Sequence, residues 1–369
     1  MKYEKQEIMQ YIAEEDVKFI RLAFADARGR QKNISVLPTE LEGAFSAGQP
    51  FDAAQIEGFY GEDELFLRPD PDTLTVLPWR PEHGRVVRMF CTVKRQDGSP
   101  YPGDPRRLLS LAEAAAKERG LTFTFSTHAN FYLFCTDEKG DPTKTPYDTA
   151  GYLDIAPEDK GENVRREICL TLEKMGISPK SSRHMAGPGQ NEIDFEAASP
   201  LRAADNAMAF STVVKVVAAK NGLYADFSPK PLKSCVGNGL GISMDVRTAT
   251  GERFNREAYF AICRRLSELS AFLNPLEGSY SRIREELNGS DNIIRRDREG
   301  RIHLLSPDSG ANPYIALALL IYAVLEGEDG ACDIPSLHET LAAAKEDGRN
   351  SEFVKKYLPR EIGSIYLED

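Results

Sequence analysis

One Gly- and Pro-rich segment, Gly98-Ser99-Pro100-Tyr101-Pro102-Gly103, separates two kinds of sequence in this chain, and this change of pattern restricts the fold more than any other feature. Before it, apolar residues come in short, β-prone runs. Val17 to Phe24 is one, a turn follows at Asp26-Ala27-Arg28-Gly29, Asn33 to Leu37 resumes the strand, and Val86 to Val93 is another. Thr39 to Phe45 reads as a short helix with Thr39 as its N-cap. After the segment the period lengthens. Pro105 to Arg119, Asn163 to Met175, Ala203 to Ala219 and Arg256 to Phe272 read as helices. Strands are expected at Thr122 to Ser126, Asn130 to Cys135, Asn191 to Phe195, Tyr224 to Phe227 and Gly241 to Val246. The tail from Pro335 also reads as helix, with Leu337, Leu341 and Ala344 on one face. This order is not a strict βαβ repeat, so the expected class is α+β, in a strand-rich domain over residues 1–97 and a larger domain over 98–369.

Charge and hydropathy narrow the partners. Acidic residues outnumber basic ones 57 to 46, and the net charge of -11 gives no electrostatic attraction to nucleic acid or an anionic membrane. Apolar runs such as Ile315 to Val324 are too short to span a bilayer, and the start, MKYEKQEIMQ, lacks the apolar core of a signal peptide. A cytoplasmic location is therefore expected. Cys91, Cys135, Cys169, Cys235, Cys263 and Cys332 are scattered without CxxC spacing and read as buried thiols.

Several segments in order carry a more specific signal. They include Asp97-Gly98-Ser99-Pro100-Tyr101, Gly151-Tyr152-Leu153-Asp154, Gly187-Pro188-Gly189-Gln190-Asn191-Glu192, Asn221-Gly222-Leu223, Ser228-Pro229-Lys230-Pro231-Leu232, Gly237-Asn238-Gly239-Leu240-Gly241 and Ser306-Pro307-Asp308-Ser309-Gly310-Ala311-Asn312-Pro313-Tyr314. Together they resemble the glutamine synthetase family over roughly residues 16 to 325, an ordered series of far greater weight than any single motif. The resemblance implies a small β-grasp-like amino-terminal domain and a catalytic domain whose curved antiparallel sheet, flanked by helices, forms half of a funnel. It also implies a homo-oligomeric ring, pentameric or hexameric per layer, in which a neighbouring subunit supplies the other wall. The family class is a carbon–nitrogen ligase of nitrogen metabolism that uses ATP and divalent ions held by carboxylates.

The residues at the corresponding positions depart from that chemistry. The family's Glu-x-Glu strand is His128-Ala129-Asn130 here, the next ligand glutamate falls on His184, and the last falls on His303. Glu192 is kept, and a family histidine becomes Ser243. Three of the five histidines in the chain thus land on family ligand positions. Imidazole binds borderline transition metals, so the pattern points to zinc, iron, copper or nickel held by His128, His184, Glu192 and His303, and puts ATP and magnesium in doubt. His83 and His338 read as ordinary loop and helix-start residues.

By the same resemblance Asp52 matches the ammonium-binding aspartate, Arg282 and Arg295 match substrate and phosphate arginines, and Asn238-Gly239 matches the turn that receives the amino acid. Two further family arginines become Ser290 and Leu305, neither able to make a bidentate fork to phosphate, and the flap glutamate has no counterpart in the shortened stretch before Arg295. The sequence reading is a diverged enzyme acting on an amino acid or amine-type small molecule without ATP-dependent glutamine synthesis. A carbon–nitrogen ligase in the family tradition and a non-catalytic scaffold or regulator are its alternatives.

Overall fold

Short β-prone apolar runs, buried on both faces at the centre, build the amino-terminal sheet. Strands β1 (Val17–Ala25) and β2 (Gln31–Val36) form an antiparallel hairpin, closed by a bond of 2.9 Å from the Gly29 amide to the Asp26 carbonyl. Gly29 has φ of 77°, which a side chain would disfavour. β3 (Gln49–Asp52), β4 (Glu64–Pro69), β5 (Thr75–Val76) and β6 (Arg85–Lys94) complete six strands, with β1 and β6 parallel. Helices α1 (Lys5–Glu14) and α2 (Leu41–Ser46) add Ile8, Ile12 and Leu41 to a core of Ile20, Leu22, Leu67, Val87 and Met89. This is the β-grasp-like domain. The computed structural model describes residues 4–59, 61–80, 83–287, 293–327, 330, 333 and 336–368.

The second domain is organised by one strand, β7 (Leu121–Thr136). Phe123, Phe125, Thr127 and Ala129 are buried, while Thr124, Ser126, His128 and Asn130 between them are half-buried. This period of two gives the sheet a core face and an open face. Around β7 lie β8 (Pro142–Pro146), β9 (Pro179–His184), β10 (Gln190–Phe195), β11 (Leu223–Asp226), β12 (Leu240–Thr248), β13 (Ile294–Arg296) and β14 (Ile302–Leu304), all antiparallel, in the main order β13-β14-β12-β7-β10-β9.

Helices α3 (Pro105–Glu118), α4 (Glu162–Lys174) and α5 (Pro200–Lys220) cover the core face. α6 (Asn255–Arg265), α7 (Ser270–Leu273), α8 (Glu277–Glu286), α9 (Pro313–Leu325), α10 (Leu341–Asn350), α11 (Glu352–Tyr357) and α12 (Arg360–Leu367) surround them. α9 is buried along its whole length, as its unbroken apolar sequence requires. Asn312 caps it by accepting from the Tyr314 amide at 3.0 Å and donates to the Ala27 carbonyl at 3.0 Å, tying the two domains together. No helix among the described residues is long and apolar enough to cross a membrane.

Several local expectations are corrected. Thr122 to Cys135 is one strand rather than two, because nothing in Thr127-His128-Ala129 forces a turn. Arg256 to Phe272 breaks after Arg265, with α7 as a separate turn. Thr39 lies within a 3₁₀ turn over Pro38–Glu40 and caps nothing. The tail helix begins at Leu341, and Pro335 lies outside the described residues. The Gly98 to Gly103 segment is packed, with Tyr101 fully buried and its ring 5.1 Å from that of Phe59. Cys91 and Cys263 are buried thiols, Cys135, Cys169 and Cys235 are half-buried, and Cys332 is outside the described residues.

Candidate functional site

Strand register decides which side chains share the open face. Ser243 on β12 is paired with Ser126 on one side and His303 on the other, and His303 is paired with Arg295, giving a first row across four strands. Asp194 pairs with Ser181 and His128, and His128 with Gly241, giving a second. Glu192 pairs with Arg183 and Asn130 in a third. Directly paired residues project to the same side of a sheet, so all three rows face the funnel. A cavity of about 350 Å³ opens over the first two, walled by His128, Arg183, Asp194, Ser243, Arg295 and His303 among others. A larger cavity of about 650 Å³, walled by Met208, Val216, Phe227 and Ser309 among others, holds none of the candidate metal or substrate residues, so the chemistry favours the smaller one.

The third row is neutralised from within. Glu192 is buried, and both of its oxygens are taken: Oε1 by the Arg183 guanidinium and Oε2 by Asn130 Nδ2 at 2.7 Å. Arg183 also donates to Asp194 Oδ2 at 2.9 Å. Burial opposes its charge, but Glu192 and Asp194 outweigh burial and raise its pKa above the ordinary arginine value. A guanidinium thus stands between two carboxylates. Asn130 fits the same logic. A glutamate there would repel Glu192 unless an ion lay between them, whereas the amide donates to Glu192 and accepts from the Gly239 amide at 3.1 Å.

His128 makes no hydrogen bond among the described residues. Its ring lies over Gly241, where a Cβ would come within 1.8 Å of Nε2, so the glycine is what gives the imidazole its place. His303 is held at both nitrogens. Nδ1 is 2.8 Å from Ser243 Oγ, and Nε2 is 3.0 Å from Asp297 Oδ2. Arg301 Nε donates to the same Oδ2 at 2.8 Å, and its amide donates to Oδ1 at 2.9 Å. Burial opposes the Asp297 charge, yet the bonds from His303 and Arg301 prevail and hold this carboxyl well below its ordinary range.

His184 faces the other way. It pairs with Asn191, one residue out of phase with Arg183 and Glu192, and is 1% exposed. Its Nδ1 is 2.7 Å from the Met185 carbonyl and its Nε2 is 2.9 Å from Asp148 Oδ1. Both partners are acceptors, an arrangement that favours the doubly protonated ring. Burial lowers its pKa, but the bonds to Asp148 and Met185 win and the net direction is upward. Burial raises the Asp148 pKa, and the bonds from His184 and the Gly189 amide overturn that to a net lowering. Asp148, Asp159 and His184 bring one donor atom each within 4.8 Å of one another. Arg165 engages both oxygens of Asp159 and donates to Asn191 Oδ1 at 2.6 Å, so a cation is already present.

The expected four-residue metal set is therefore not assembled. His184 is on the opposite face with both nitrogens hydrogen-bonded, His303 has both nitrogens hydrogen-bonded, and Glu192 is paired to the Arg183 guanidinium, whose charge opposes a second cation, which leaves His128 as the one unengaged donor of the four. One imidazole does not hold an ion that needs three or four ligands. Asp148 Oδ2 is buried without a hydrogen-bond partner, yet its neighbours' donor atoms are taken, so that cluster does not fit a metal either.

Other expected site residues serve the scaffold. Arg282 is neither a carboxylate clamp nor a solvated cation: it is buried and donates to the carbonyls of Ser306 and Leu305, both at 2.9 Å, and burial lowers its pKa. Asn238 is fully buried and donates to the carbonyls of Asp226 at 3.0 Å and Ser228 at 2.9 Å. The Gly239 amide is taken by Asn130. Asp52 is exposed at the end of β3 and caps the turn after it, accepting from Ala54 N at 3.0 Å; it is not among the described residues that line the cavity. Arg295 is exposed beside the cavity and Leu305 lines it, while Ser290 lies outside the described residues. His83 is exposed in a turn, and His338 is half-buried with Nε2 2.9 Å from Asp347. Sequence reasoning missed Arg183, Asp148 and Asp297. For Asp297 a signal existed, since Asp297-Arg298-Glu299-Gly300 is a turn sequence that places an aspartate beside the strand of His303. The other two had none.

Comparison with known proteins agrees with this architecture. The profile of the glutamine synthetase β-grasp domain matches residues 16–96, and that of the glutamine synthetase catalytic domain matches residues 102–368. A glutamine synthetase of Clostridium saccharobutylicum is 38% identical, the match covering 98% of this chain and 88% of that protein. One from Staphylococcus aureus (strain N315) is 35% identical over 99% of this chain and 93% of its own. Among solved structures, a GmaS/ADP complex has the same fold, with a TM-score of 0.86 at 24% identity over 97% of this chain and 94% of its own. The chain belongs to the glutamine synthetase family.

Proposed function

We propose that this protein is a diverged glutamine synthetase-fold enzyme that acts on an amino acid or amine-type small molecule and does not make glutamine at the expense of ATP. The observation that carries this reading is the state of Glu192, whose carboxylate is neutralised by Arg183 and Asn130 rather than left open to an ion. Without divalent ions the funnel lacks the charge that phosphoryl transfer requires, and Leu305 removes a further phosphate contact. The cavity is of mixed charge, bordered by Asp194, Glu196 and Asp245 as well as by Lys180, Arg183, Arg295 and Arg301; Arg183 and Arg301 are paired to carboxylates, and Lys180 and Arg295 are the cations that face a substrate. Those two suit the carboxylate of an amino acid. No transition metal is assigned to this site, because His184, Glu192 and His303 are engaged elsewhere and His128 alone is left. The working form is a cytoplasmic homo-oligomeric ring, in which Asp52 of one copy would reach the funnel of the next.

A second reading is favoured by the 38% identity to the Clostridium saccharobutylicum glutamine synthetase: an ATP-dependent carbon–nitrogen ligase. Calorimetric titration separates the two. Under the first reading an amino acid or its amide binds in the presence of EDTA, and Mg-ATP neither binds nor strengthens that binding. Amino-acid binding that appears only with Mg-ATP would establish the second.

A further inference from the structure

We propose that Ser243, His303 and Asp297 act as nucleophile, base and orienting carboxylate in the hydrolysis of a carboxylate-bearing amide or ester. The proposal goes beyond the reading above and rests on it for the substrate class alone. Three observations carry it. First, the hydrogen-bond order is that of an activated nucleophile: Ser243 Oγ to His303 Nδ1 at 2.8 Å, then His303 Nε2 to Asp297 Oδ2 at 3.0 Å. Because Asp297 is an acceptor, the proton sits on Nε2, and the Nδ1 lone pair faces the Ser243 hydroxyl. Second, the third member is itself fixed, since Arg301 holds both Asp297 oxygens. Third, Ser243 and His303 open on the 350 Å³ cavity, and Arg295, paired across from His303, supplies a cation on the same face for the carbonyl oxygen or a substrate carboxylate.

The chemistry balances without a nucleotide. Ser243 Oγ bonds to the acyl carbon as its proton passes to His303 Nδ1. His303 returns that proton to the departing amine or alcohol as the acyl C–N or C–O bond breaks. A water molecule then attacks the acyl-serine, giving a proton to His303, which passes it to Ser243 Oγ as the ester bond breaks and the acid leaves. One water is consumed, and the products are an acid and an amine or alcohol.

The test treats the full-length protein with a fluorophosphonate probe, which labels activated serines, and maps the labelled peptide by mass spectrometry. One label per chain on Ser243 is expected, lost after denaturation and in Ser243→Ala. His303→Gln should slow labelling by at least about 100-fold, the usual scale for losing a general base. Asp297→Asn, a positioning change, should lower kcat for the p-nitroanilide of the glutamate side chain while leaving KM nearly unchanged. The map of the unaltered protein names the labelled residue, so the outcome does not depend on the variants folding. No label on native protein, or a label elsewhere that survives Ser243→Ala, overturns the proposal. Amino-acid binding by calorimetry without labelling would overturn the triad and leave the preceding reading standing.

Discussion

The sequence resemblance puts both His184 and His303 at ligand positions, yet the two lie on opposite faces of one sheet and in opposite electrostatic settings. His184, at the end of β9, is sealed between Asp148 and a backbone carbonyl, which favour its charged form, beside the Arg165–Asp159 pair. His303 borders the cavity with one nitrogen on a serine hydroxyl and the other on a carboxylate. The same side chain is a buried structural strut in one place and an addressable base in the other. Parity along a strand decides between them, because a step of one residue moves a side chain from funnel to core. Positional correspondence with a family ligand thus says where the backbone runs but not which way the ring points.

The comparison breaks most visibly if the buried histidine is removed. His184→Ala leaves Asp148 buried without its partner, and the expected cost is about 3–5 kcal/mol of stability, measured by urea unfolding. The same change in a surface-like histidine would cost little. The effect should depend on pH in a defined sense. The His184 pKa is raised above 6.5 on folding, so its contribution is complete below that value and fades as pH rises through the higher folded pKa. The Asp148 pKa is lowered below 3.8, so its contribution is complete above that value and fades as pH falls through the lower folded pKa. The stability gap between native protein and His184→Ala should therefore be widest between about pH 4 and pH 6.5. A gap that grows from pH 7 to pH 9 would contradict a raised His184 pKa.

On the funnel face the effects are smaller. Gly241→Ala puts a methyl group where the His128 ring lies, and the strain should cost about 1–3 kcal/mol in the same unfolding experiment. No loss would mean that the imidazole swings away freely. Smallest is a gain. Arg183→Ala releases Glu192 and Asp194, and the freed carboxylates should bind manganese weakly, with a Kd of roughly 10⁻⁴ to 10⁻³ M by calorimetry, while the unaltered protein binds none there. Equal binding by both proteins would show that Arg183 does not fill the role of the ion.

The fold was largely legible in the chain, through long-range order of motifs rather than local pattern. The Val17 strand, the Pro105 helix and the Asn191 strand were readable from periodicity and Pro or Gly punctuation. β9 was not, because Pro179-Lys180-Ser181-Ser182-Arg183-His184 has no apolar alternation, and its strand state comes from pairing with β10. The site was half legible. His128 and His303 share the cavity as their positions implied, whereas the roles of Arg183 and Asn130 follow from contacts across β7, β9 and β10 that no single segment encodes. Arg282 looked like a substrate clamp until its burial against the Leu305 and Ser306 carbonyls was visible.

The central claim, that side chains have taken the place of the divalent ions, is tested most directly by turnover. ADP release should be followed with Mg-ATP, glutamate and ammonium or methylamine at saturating concentrations, on oligomeric protein purified without chelator. Losing several electrostatic contacts, each worth about 10² to 10³ in rate, predicts no release above background. Glutamate-dependent ADP release at the roughly 1–10³ s⁻¹ of ordinary enzymes would contradict the account and return the protein to the ligases.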